Sequence, residues 1–187
     1  MNRIRRWLPI AGTIAVLAMV WAMWELREVN RFNPQINAAA RRYHVDPALV
    51  KAVVWRESKF RPGVRGSKGE LGLMQVLEPA AREWAEDEGI KAFRFETCLD
   101  PGTNILAGTY YLSKLLKRYP RADSPVPYAL ADYNAGRGNV LRWVSSSSAT
   151  DSRAFIRDIG FPGTKAYVKS ILRHLWLYHV MGRFATG

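Results

Sequence analysis

Val50, Val53, Val54 and Glu57 follow one another at spacings of three and four residues, so on a helix they share one face. Glu57 therefore continues an apolar stripe, and it does so in the last turn before a loop. Burial strips a carboxylate of hydration, and the carbonyl end of a helix carries partial negative charge. Both effects favour the neutral acid, which is the form a group must hold if it is to donate a proton near neutral pH. Periodicity alone leaves a plainer reading open and even favours it: Glu57 turns outward as the helix frays, or pairs with Arg61.

The elements that must position such a group are helical. Pro34 opens a helix predicted to reach Tyr43. Asp46-Pro47 is an N-cap with proline at the first helical position and starts the Glu57 helix, which ends about Ser58. "RPGVRGSKGELG" (61–72) is a glycine-rich loop. Further helices are predicted over Pro79–Glu88, from Asp100-Pro101 to Tyr119, and after Ser124 with Gly136 past its end, with a short one at Asn139–Val144. The serine run 145–152 reads as a mobile surface loop, and Pro162 opens a last helix to about Val180. No strand alternation of any length appears, so the fold class is all-α.

The chain has 187 residues, 48% of them hydrophobic, enough for one domain with a real core. Its formal charge of +12 favours anionic partners. The basic residues are scattered through the helices with no nucleic-acid motif beside them, so no nucleic-acid partner is expected. "GRG" (136–138) is too short for a phosphate loop. Cys98 is the sole cysteine, which excludes an intrachain disulfide and points to an idle or buried thiol. His174 and His179 are five residues apart, wrong for a shared helix face, and His44 is remote, so neither a metal nor another cofactor is expected.

The N-terminus is uncharged and apolar from Trp7 to Trp24, with Arg3, Arg5 and Arg6 before it. As a helix, 7–24 spans roughly 27 Å, close to the hydrocarbon core of a bilayer. The arginines place residues 1–6 in the cytoplasm, 25–33 reads as a linker, and 34–187 is the exported domain. A cleaved signal peptide is the alternative, but Val20 and Ala22 flank Trp21 and make a poor cleavage site.

Four stretches in order, "ESKF" (57–60), "GELGLMQV" (69–76), "DYNAG" (132–136) and "GTKAYVKSI" (163–171), resemble the motifs of the lysozyme-like lytic transglycosylases. These are the soluble-type Slt catalytic domains, distantly similar to goose-type lysozyme. The resemblance covers about residues 34–181. It implies a lysozyme-like helical domain with a catalytic cleft, here behind one N-terminal transmembrane helix. It implies peptidoglycan glycan strands as substrate; with the apolar N-terminal stretch as an anchor, the expectation is a single-pass protein of the bacterial inner membrane with its domain in the periplasm. A partner in some envelope machinery is compatible with it and unspecified.

Carried over by position, the resemblance makes Glu57 the catalytic acid and base, and Tyr167 the tyrosine whose hydroxyl reaches it. Ser58 is implied to orient the sugar or the carboxyl. Gly72 is implied to let backbone approach at the substrate site, Met74 and Gln75 to line the cleft, and Tyr133 and Asn134 to contact substrate. Phe60 reads as core. The sequence departs from the family pattern at Gly163, where a glutamate usually precedes Thr164, and at Glu70 and Asp132, where small residues are common. The implied reaction cleaves the bond from N-acetylmuramic acid to N-acetylglucosamine and closes a 1,6-anhydro ring with one carboxyl instead of the usual two. Two rivals are a hydrolytic muramidase, in which Glu70 or Asp132 activates water, and a non-catalytic wall-binding scaffold.

Overall fold

The computed structural model describes residues 16–17, 19–20 and 27–185, the side chains of 183–185 excepted. The chain divides into two compact units, Met1–Asn33 and Pro34–Gly187. In the first unit residues 27–30 are helical. Most of the predicted span 7–24 lies outside the described residues, among which no helix is long and apolar enough to cross a membrane.

The second unit is built from helices α1 (Asn33–Tyr43), α2 (Pro47–Ser58), α3 (Glu78–Asp87), α4 (Pro101–Lys117), α5 (Val126–Ala135), α6 (Arg137–Trp143), α7 (Ser152–Asp158) and α8 (Pro162–Ala185). A 3-10 turn, Phe95–Leu99, precedes α4. Among the described residues the only β pairing is a pair of isolated bridges, Arg65 with Leu71 and Leu71 with Val76. They tie the glycine-rich loop to itself.

Aspartates start three of the helices. Asp46 accepts from the Ala48 N–H at 2.8 Å, Asp100 from the Thr103 N–H at 2.8 Å, and Asp151 from Arg153 and Ala154 at 2.8 and 3.0 Å. Each satisfies a backbone donor that the first turn leaves unpaired, worth about 1 kcal/mol. The first two follow from the Asp-Pro signals. Asp151 starts a helix that the serine-rich composition concealed.

α4 and α5 form the centre. Ile105, Ala107, Leu112 and Leu115 on α4, and Ala129, Leu130 and Ala131 on α5, are fully buried. α5 packs against α4, α6, α7 and α8, and α2 lies along α8. Each large aliphatic side chain buried this way contributes about 1.5–3 kcal/mol.

The serine run is a second departure from expectation. Ser148 and Ser152 are buried. Ser145 and Ser148 hydroxyls bond each other at 2.9 Å, the Tyr128 hydroxyl donates to Ser148 O at 2.7 Å, and Ser152 N donates to Asp123 at 2.9 Å. Hydroxyls that bond their own backbone fold a serine stretch as firmly as they solvate it.

Candidate active site

The end of α2 is shaped by two left-handed residues, Lys59 (φ 53°) and Phe60 (φ 59°). Lys59 N donates to Trp55 O at 3.0 Å, which closes the last turn. Phe60 is then driven into the core, 4% exposed, and Glu57 stays on the α2 face that meets α8. From α8 the buried Tyr167 donates its hydroxyl to Glu57 Oε1 at 2.5 Å.

Burial raises the Glu57 carboxyl from 4.5 to about 7, and the charge of Glu70 adds to the rise. The Tyr167 hydrogen bond and Arg56 pull the other way and lose. Desolvation therefore decides the outcome. Burial, and after it the Glu57 charge, also pushes the Tyr167 and Tyr133 hydroxyls far above the ordinary tyrosine range, so both act as neutral donors.

Tyr133 reaches the site from α5, donates to Met74 O at 2.7 Å, and packs against Tyr111 with ring centroids 5.5 Å apart. Asn134 follows it, exposed, with Oδ1 accepting from Thr164 at 2.8 Å. Its amide N–H groups make no bond among the described residues, so they remain free to donate. Thr164 thus links the α5 motif to α8, one turn before Tyr167.

Several expected contacts are absent. Ser58 is 1% exposed and donates its hydroxyl to Val54 O at 3.1 Å, so it offers no donor to a cleft. Met74 is fully buried, and a Cβ on Gly108 would lie 2.5 Å from its sulfur. It is core, not cleft wall. Gln75, held at φ 46°, turns its Nε2 inward to Val64 O and Gly72 O at 3.2 and 2.9 Å and braces the loop.

Gly72 also serves the interior. Its φ is +74°, and a Cβ there would stand 2.4 Å from Asn104 Nδ2 and 2.6 Å from Cys98 O. Gly72→Ala should therefore cost about 2 kcal/mol or more, from backbone strain and overlap together, read as a lower urea midpoint.

Asn104 is the residue that sequence reasoning missed. It is fully buried on α4, accepts from Met74 N at 2.8 Å, and donates to Leu71 O and Cys98 O at 2.8 and 2.7 Å. It ties the loop carrying Gly72–Gln75 to the core. The signal that singled out Glu57 was present here too, because Asn104 stands in step with Gly108 and Leu112 on a buried face.

Of the other acids, Asp132 is buried, paired with Arg118 at 3.1 Å, and accepts from Tyr119 at 2.8 Å. Its charge is spent on the core. Glu70 accepts from Lys68 N at 2.8 Å and is the second carboxylate whose field Glu57 feels. Among the described residues no three His, Cys, Asp or Glu side chains converge on a point that could hold a metal. Burial raises the Cys98 thiol to about 11, which leaves it unreactive at neutral pH.

The all-helical domain has the lysozyme-like helical fold. It superimposes on the 70 kDa soluble lytic transglycosylase of Escherichia coli with a TM-score of 0.74 at 26% identity, covering 95% of this chain and 29% of that one. The family described as the transglycosylase SLT domain matches residues 34–156, and the chain belongs to that family. It is 29% identical over 180 residues to a putative soluble lytic murein transglycosylase of Haemophilus influenzae, covering 95% of this chain and 30% of that protein. It is 34% identical over 126 residues to membrane-bound lytic murein transglycosylase C of Yersinia enterocolitica, covering 64% of this chain and 35% of that protein. The chain thus spans about a third of the length of these relatives.

Proposed function

We propose that this chain is a peptidoglycan lytic transglycosylase, held in the inner membrane by residues 7–24 with its catalytic domain in the periplasm. The observation that carries the reading is the Glu57 carboxyl, held under the Tyr167 hydroxyl and raised by burial to about 7. The membrane-bound relative and the arginines preceding an apolar stretch support the anchored form.

Glu57 donates its proton to the oxygen linking N-acetylmuramic acid to N-acetylglucosamine, and that bond breaks. The substrate's own 2-acetamido group stabilises the positive charge at C1, the substrate-assisted course open to an enzyme with one carboxyl. Glu57, now ionised, accepts the proton of the muramoyl C6 hydroxyl, whose oxygen bonds to C1 and closes the 1,6-anhydro ring. Glu57 ends protonated and water is not consumed. Tyr167 holds the carboxyl in place through both proton transfers. Asn134 binds the sugar through its amide, and Tyr133 fixes the loop behind it. The engagement of Asp132 with Arg118 and Tyr119 supports lysis over hydrolysis, since it leaves Glu70 alone as a second base.

Digestion of purified peptidoglycan by the full chain, with muropeptides read by mass spectrometry, tests this. Products lighter by one water than hydrolytic ones, absent with Glu57→Gln, are expected. Reducing ends instead would identify a muramidase using Glu70, and binding without cleavage would identify a scaffold.

Tyr167→Phe removes the bond that favours the Glu57 carboxylate. The alkaline limb of kcat/KM should move to higher pH while kcat falls about tenfold at neutral pH. An unmoved pH profile would deny that the two groups are coupled.

A further inference from the structure

Four cations gather where α2 ends. The Arg56 guanidinium lies 5.1 Å over the ring of Tyr167, the tyrosine bonded to Glu57. Lys59 places Nζ 2.7 Å from the centroid of the Trp55 ring. His174 stacks on the same indole with centroids 3.4 Å apart, and since one face cannot hold both, lysine and imidazole sandwich it. Arg61 folds back to donate Nε to Ser58 O at 3.0 Å. Arg173, one residue before His174 on α8, lies within the electrostatic reach of Lys59, as do Arg56 and Arg61.

None of these four forms an ion pair among the described residues, whereas Arg42, Arg82, Lys114 and Arg118 each have a carboxylate. Lys59, Arg61 and Arg173 are exposed. The adjoining carboxyl, Glu57, titrates at about 7 and supplies at most half a charge at neutral pH. Burial first, and the three arginines after it, hold Lys59 down at about 8. Such a group gains from an anion set among its members. Aromatic faces under Arg56 and Lys59 keep the charged heads ordered, which lowers the entropy that binding must remove.

We propose that Arg56, Lys59, Arg61 and Arg173 form a carboxylate-binding site beside Glu57 that takes an acidic side chain of the peptide borne by the glycan. The claim rests on the peptidoglycan reading. The sugar backbone itself is uncharged where the lactyl group carries a peptide, so the anions that such glycan offers are peptide carboxylates. Guanidinium groups match a carboxylate with two parallel hydrogen bonds, and lysine adds a point charge. The site therefore favours glycan whose peptide carboxyls are free over glycan whose peptide carboxyls are amidated.

The test measures binding apart from cleavage. The full chain in non-ionic detergent is titrated with the disaccharide N-acetylglucosaminyl-N-acetylmuramic acid carrying a tetrapeptide, which lacks the bond to be cleaved, and with the same compound after amidation of its carboxyls. Amidation should weaken binding by about tenfold, and rising salt should erase the difference. The variant K59Q/R61Q/R173Q should bind both forms alike, while K59R/R61K/R173K keeps the preference and controls for folding. Equal affinity of the unaltered chain for both forms, no binding of either, or a preference surviving in the glutamine variant would each overturn the proposal. So would capture of phosphatidylglycerol vesicles through these residues with no effect of amidation, which would assign the cluster to lipid. Cleavage of peptidoglycan without this preference would leave the lytic reading standing, and the preference without cleavage would remove that reading alone.

Discussion

Glu57→Gln should lower peptidoglycan cleavage by at least about a thousandfold, as expected when the only general acid is removed, and should make the protein more stable above neutral pH. Glutamine keeps an oxygen to accept the Tyr167 hydrogen bond but cannot ionise. The wild-type carboxyl titrates at about 7 folded against an ordinary 4.5, so the folded state holds the proton more tightly. Stability contributed by the neutral form is complete below about pH 4.5 and is lost as pH rises through 7. The loss is of order 3 kcal/mol. Urea unfolding of both proteins should therefore coincide near pH 4.5 and diverge by pH 8, the variant being the more stable. Parallel curves across that range would mean that Glu57 is solvated and ordinary.

Asn104→Ala carries the second large effect, on the fold and not the chemistry. Two buried groups, the Met74 N–H and the Cys98 carbonyl, lose their partner at once, and the Leu71 carbonyl keeps only the Val76 N–H at 3.0 Å. At roughly 1–3 kcal/mol for each buried polar group left unpaired, the loss should approach about 4 kcal/mol. That is a large fraction of the stability of a domain this size. The denaturant midpoint should fall steeply and cleavage should fall with it, because Tyr133 docks on the Met74 carbonyl that Asn104 positions from behind. A change below about 1 kcal/mol would mean that water replaces all three bonds.

The helical class and most helix limits could be read from the sequence because their causes are local. Asp-Pro pairs, glycine past a helix end and a three-four apolar rhythm act within a few residues. The Glu57–Tyr167 contact joins positions 110 apart, and only the family motif pointed to it. Where the motif spoke of residue type but not of direction, expectation failed. Ser58, Met74 and Gln75 belong to the right segments, yet their side chains serve the interior, because the loop needs left-handed backbone and internal bonds to hold its shape. Asn104 lay outside every motif and was passed over although its position on an apolar face carried the same information as Glu57. The serine run misled through composition: the same hydroxyls that suit a solvated loop also close a turn, and Asp151 within the run caps α7.

The proposed reaction depends on Glu57 holding its proton where a glutamate would ordinarily be ionised. The most direct measurement is a carbon-13 NMR titration of glutamate carboxyls in the full chain, with the Glu57 resonance assigned by its loss in Glu57→Gln. A midpoint near 7, shifting upward in Tyr167→Phe, is the predicted result. A midpoint near 4.5, unchanged by Tyr167→Phe, would contradict it and remove the proton donor from the proposed reaction.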